Sequence, residues 1–119
     1  MIVVNRQRAA IIRTPHGSEI RPIIDRTTSD ITLCSLAEEA LPVGAAVGRH
    51  HHIDTEEIYY IVRGNGRMTV GEEVREVGEG DAIFIPIGKV HTLENTGNVE
   101  MIILLICGPA YSVKDHHNE

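Results

Sequence analysis

Three histidines and two glutamates, residue types able to bind a metal or carry a proton, fall within eight positions as His50-His51-His52 and Glu56-Glu57, and His91 stands alone further on. On an extended strand alternate side chains share a face, so His50 and His52 point one way and His51 the other. Two imidazoles turned into a barrel cost desolvation unless something uses their lone pairs, and a divalent metal is the usual user. A carboxylate on the next strand balances the charge and adds a hard ligand. By residue type alone, Glu56 and Glu57 are both candidates for that place.

The segments around these residues read as short strands cut by glycine-rich turns. Expected strands cover residues 47–52, 56–62, 67–70, 73–77, 81–85, 89–94 and 99–107, with Gly64-Asn65-Gly66, Gly71-Glu72, Gly78-Glu79-Gly80, Pro86-Ile87-Gly88 and Asn95-Thr96-Gly97-Asn98 between them. Strands of this length and spacing predict an all-β sandwich or barrel. Leu36-Ala37-Glu38-Glu39-Ala40-Leu41 contains good helix formers but stops at Pro42. It is read as the tail of a strand begun at Ile31, with a short helical turn as the alternative. A length of 119 residues suits one domain, and residues 108–119 read as a polar tail packing partly back on it.

Composition removes some function classes. The formal charge is −6, and there is no Trp, one Phe and three Tyr. The chain thus has neither the basic surface nor the aromatic platforms that nucleic-acid binding uses, and no charge attraction to anionic membranes. Its apolar run at Ile2–Val4 is too short for a signal peptide or a spanning helix. Cys34 and Cys107 have no CxxC spacing and lie in apolar runs, so both are expected as free thiols in the core of a cytoplasmic protein.

The spacing of the glycines around the histidines carries more. Gly44, His50, His52, Glu57 and Gly64 follow the pattern G(X)5HXH(X)4E(X)6G, and Gly80, Pro86, Gly88, His91 and Asn95 follow G(X)5PXG(X)2H(X)3N. These ten positions resemble, without exception, the two motifs of the cupin superfamily. At roughly 5% background frequency per position, chance gives about 10⁻¹³ per placement. The resemblance spans residues 44–95 and implies a double-stranded β-helix, the jelly-roll cupin barrel, as one domain over residues 1–119. It further implies that His50, His52, Glu57 and His91 hold one divalent metal, with Mn, Fe, Ni, Co, Cu and Zn all compatible. Such a set leaves two octahedral positions for water, oxygen or a bidentate substrate. Asn95 reads as structural.

Other polar residues are weighed beside these. Tyr59 lies two positions after Glu57, so its phenol faces the interior near the metal, where it meets either a substrate or a backbone partner. It is the one candidate catalytic residue. His51 and Glu56 read as lying outside the site, His16 as a turn residue, and His116-His117 as a tail pair whose adjacency suits no shared metal. Arg13, Arg21 and Arg26 are the basic residues that could reach the mouth. The expected partner is a small, partly apolar molecule. Of the classes the resemblance implies, a metalloenzyme of dioxygenase, decarboxylase, isomerase or lyase type is preferred over a non-catalytic binding or sensing module. Apolar N-terminal segments point to a homodimer.

Overall fold

In β5 (Glu56–Arg63) burial alternates strictly from Glu56 to Ile61, with Glu57, Tyr59 and Ile61 buried and Glu56, Ile58 and Tyr60 exposed. That alternation decides what faces the interior. The computed structural model describes residues 1–119, and the remaining strands are β1 (Ile12–Arg13), β2 (Glu19–Ile24), β3 (Ser35–Leu41), β4 (His50–His51), β6 (Asn65–Val70), β7 (Glu73–Gly78), β8 (Ala82–Ile85), β9 (His91–Asn95), β10 (Met101–Gly108) and β11 (His117–Asn118). They form two antiparallel sheets, ordered β1-β2-β3-β10-β5-β8 and β11-β4-β9-β6-β7, the jelly roll that the motifs imply.

The core lies between the sheets. Leu41, Ile61, Leu93, Met101 and Ile103 are fully buried, joined by Val47, Tyr59, Met68 and Ile85. Burying each large apolar side chain stabilises by about 1.5–3 kcal/mol. Gly64 makes the turn from β5 to β6 at φ 88°, and a Cβ there would stand 2.9 Å from Met101 Cγ. Both the backbone angle and the space therefore require glycine. Asn95 is structural as expected: its Nδ2 donates to the carbonyls of Leu41 and Val99, each at 2.9 Å, and its Oδ1 accepts from Gly97 at 3.0 Å.

Three local expectations change. Residues 36–41 are the body of β3 rather than a strand's tail, because β2 and β10 pair with them on both sides and override their helix propensity. Residues 31–34 lie outside any strand, and Cys34 is exposed instead of buried. The segment 47–52 is regular only at His50–His51, with the Val47 amide donating to the Leu93 carbonyl at 2.9 Å and its carbonyl accepting from the Thr92 hydroxyl. The tail does pack back, since β11 pairs His117 with His51.

Candidate metal centre

Four side chains meet inside the barrel from three strands and the loop after β4. β5 turns Glu57 inward, β4 pairs His50 directly with His91 of β9, and His52 follows immediately after β4. The Gly88 amide, at φ 80°, donates to the His52 carbonyl at 2.7 Å, so the turn of the second motif pins a histidine of the first. All four residues are buried, and one potential ligand atom from each lies within 4.8 Å of all the others.

The far side of each ring explains its orientation. His50 Nδ1 stands 2.7 Å from the Gly48 carbonyl, His52 Nδ1 2.8 Å from that of Asp115, and His91 Nδ1 3.0 Å from that of Lys89. A carbonyl only accepts, so each Nδ1 carries a proton and each Nε2 is turned toward the centre, where it offers a lone pair once deprotonated. Glu57 Oε1 lies 3.4 Å from His52 Nε2 and 3.3 Å from His91 Nε2, yet these three buried atoms have no hydrogen-bond partner. Buried acceptors left unpaired are costly, and a divalent cation satisfies them together. The donor set therefore fits a metal ion; three imidazoles and a carboxylate suit a first-row transition metal and do not select among them.

Electrostatics set the ligands apart from one another. Burial, with His91 beside it, pulls His50 down to about 3, so it is neutral and ready to ligate across the physiological range. Burial also opposes charge on His52, but the Glu57 carboxylate outweighs it and raises this imidazole. Burial tends to raise Glu57, while His52 and His91 hold it down at about 2, fully ionised. Tyr59 is buried with its ring edge-on to His91 at 5.8 Å between centroids, and burial together with Glu57 keeps its phenol protonated. Burial and the Glu57 charge likewise push the Cys107 thiol up.

The remaining polar residues sort around this centre. Glu56 is exposed. His51 Nδ1 lies 2.7 Å from Glu119 Oε1, outside the barrel. His116 and His117 part company: His116 stacks on His50 at 4.2 Å, and His117 stacks on His51 at 5.2 Å. Of the three arginines, Arg13 pairs with Glu19, Arg26 donates to the Ala110 carbonyl at 3.2 Å, and Arg21 sits opposite Glu38 in the ladder. A cleft of about 780 Å³ lies away from the ligands, along the seam between β7 and β8. Its inner wall includes Val70 and Ile83, ladder neighbours of His91 and Tyr59.

Several of these neighbours were not legible as site residues. Asp115 supplies the carbonyl behind His52, and its carboxylate accepts from the amides of Ile53 at 2.8 Å and Asp54 at 3.0 Å. Tyr111 Oη lies 3.2 Å from His116 Nδ1. Buried Glu39 is bonded by Ser18 and by His16, the latter at 3.1 Å, so His16 serves more than its turn. An Asp-His-His run in a tail carries no signal of that kind, because its partners lie some 60 positions away.

Residues 37–107 match the family described as Cupin domain. The chain is 43% identical over 102 residues to an uncharacterized protein of Methanocaldococcus jannaschii, covering 86% of this chain and 82% of that one. It is 37% identical over 70 residues to an oxalate-binding protein of Thermotoga maritima, covering 59% of this chain and 58% of the relative. A solved structure described as a predicted oxalate decarboxylase from Thermotoga maritima superposes with a TM-score of 0.82 at 26% identity, covering 91% of this chain and 99% of the other.

Proposed function

The chain belongs to the cupin family, and on that premise we propose that it is a metal-dependent enzyme acting on a small molecule that offers two oxygens, a carboxylate among them. The observation that carries this reading is the set of buried, unpartnered atoms on His52, Glu57 and His91, with His50 beside them. These four residues would hold one divalent transition metal. When bound, it supplies Lewis acidity toward a carbonyl or carboxylate oxygen.

The chain's own residues do the rest. One ionised Glu57 against a dication leaves the centre one positive charge in excess, which suits a small anion. Arg13 is paired with Glu19 and Arg26 with a backbone carbonyl, so neither supports a large polyanion. Tyr59 stays protonated and lies edge-on to His91, which supports a role as hydrogen-bond donor to a bound substrate. Leu93, Ile85 and Met68 are buried in the same core, where they exclude water from it. The names carried by the oxalate-related proteins of Thermotoga maritima favour short dicarboxylates as the first compounds to try.

A second reading, binding without turnover, is favoured by the relative described as an oxalate-binding protein. We further propose that the chain forms a homodimer through the outer face of the larger sheet, where Ile58, Tyr60, Val62 and Phe84 are exposed. The deciding experiment loads purified protein with Mn, Fe, Co, Ni, Cu or Zn and presents oxalate and related small acids. Consumption of the acid, lost in Tyr59→Phe or reduced by it, supports the enzyme. Stoichiometric binding with no product supports the module, and neither outcome with any metal contradicts both.

A further inference from the structure

The register of the larger sheet sets three polar side chains in one row. Cys107 of β10 is paired with Ser35 of β3 on one side and with Glu57 of β5 on the other. All three are buried. The Cys107 thiol donates to Glu57 Oε2 across 3.4 Å, and Ser35 Oγ accepts from the Tyr111 amide at 2.8 Å. The two oxygens of Glu57 are therefore unequal. Oε2 has a donor, whereas Oε1 faces the Nε2 atoms of His52 and His91 with no partner.

A carboxylate with two free oxygens can bind a cation through either or both. A donor on one of them breaks that symmetry, and in a dry interior even a weak S–H donor to an anion counts. We propose that Cys107 is a positioning residue for the metal centre, holding Glu57 Oε2 so that Glu57 binds metal through Oε1 alone and two coordination positions remain for substrate. This rests on the metal reading above. It assigns the strand opposite Glu57 a task beyond filling the core, and it links that task to the tail through Ser35 and Tyr111.

The test uses Mn(II)-loaded protein and counts bound water from the broadening of the Mn(II) paramagnetic resonance lines in ¹⁷O-enriched water. Wild type is expected to hold two waters. Cys107→Val and Cys107→Ala, which keep an apolar filling but lose the donor, are expected to hold one, with Mn(II) affinity changed by roughly tenfold or more. Cys107→Ser retains a donor and is expected to stand nearer wild type than either. Using two donor-free variants protects the result against one of them misfolding, which melting curves would reveal. Two waters in the donor-free variants, or a serine variant indistinguishable from valine, overturns the proposal while leaving the metal reading intact. Wild-type protein that takes up no Mn(II), Co(II) or Zn(II) overturns both.

Discussion

His52 Nδ1 donates to the backbone carbonyl of Asp115 at 2.8 Å, across 63 positions of sequence. The same residue's carboxylate caps the amides of Ile53 and Asp54, so the tail fixes both a ring and the loop that carries it. Deleting residues 112–119 removes that carbonyl. Metal affinity is expected to fall by roughly 10–100-fold, as for other losses of a ligand's supporting partner. Asp115→Ala keeps the carbonyl but loosens the loop, and its effect should be smaller. Chelator competition measures both, and a truncated protein with wild-type affinity contradicts the assignment.

The strand register separates His51 from its neighbours. His50 and His52 are buried, whereas His51 turns to Glu119. His52→Ala should lower metal occupancy by more than the roughly 100-fold upper range seen for indirect partners. His51→Ala should leave occupancy within about threefold of wild type, since only contacts with Glu119 and His117, neither of them a metal ligand, are lost. Metal analysis after dialysis reads the difference, and equal losses in the two variants would mean that the register is wrong.

Protonation of the metal-free protein should divide the histidines. His50 is depressed to about 3 by burial, so the folded state binds fewer protons there than the unfolded state. Its contribution to stability is complete above the ordinary value of 6.5 and is lost as pH falls from there toward 3. His52 is raised because Glu57 outweighs its burial, so its contribution is complete below 6.5 and is lost as pH rises through its folded value. A nuclear magnetic resonance titration of chelator-treated protein should show His50 unchanged from pH 8 to 5 and His52 with a midpoint above 6.5. A His50 midpoint near 6.5 contradicts this.

The outer face of β5 predicts the oligomer. Ile58 and Phe84, cross-strand neighbours, are both exposed and apolar. Light scattering at micromolar concentration should give twice the chain mass, and Ile58→Asp should halve it. A wild-type particle of one chain mass rules the dimer out.

How much of this was legible in the sequence follows from how far each interaction reaches. The meeting of His50, His52, Glu57 and His91 was legible only through the ten positions that resemble the cupin motifs, since strand alternation by itself left Glu56 and Glu57 both open. Period-two alternation was enough to place Tyr59 inward. Cys107 beside Glu57 was not legible, because it depends on which strands pair and in what register, not on spacing along one of them. Cys34 misled for a related reason: an apolar run predicts burial only where a strand continues through it, and β3 begins one residue later. Glu39 sits amid good helix formers, and only its ladder partners Ile20 and Ile103 reveal that it faces inward.

The most direct test of the metal centre is elemental analysis of protein purified without an affinity tag or chelator, beside Glu57→Ala prepared identically. Close to one equivalent of a divalent transition metal per chain, lost in the variant, is the result predicted. Wild-type protein that carries no metal, and retains none after incubation with Mn, Fe, Co, Ni, Cu or Zn, contradicts it.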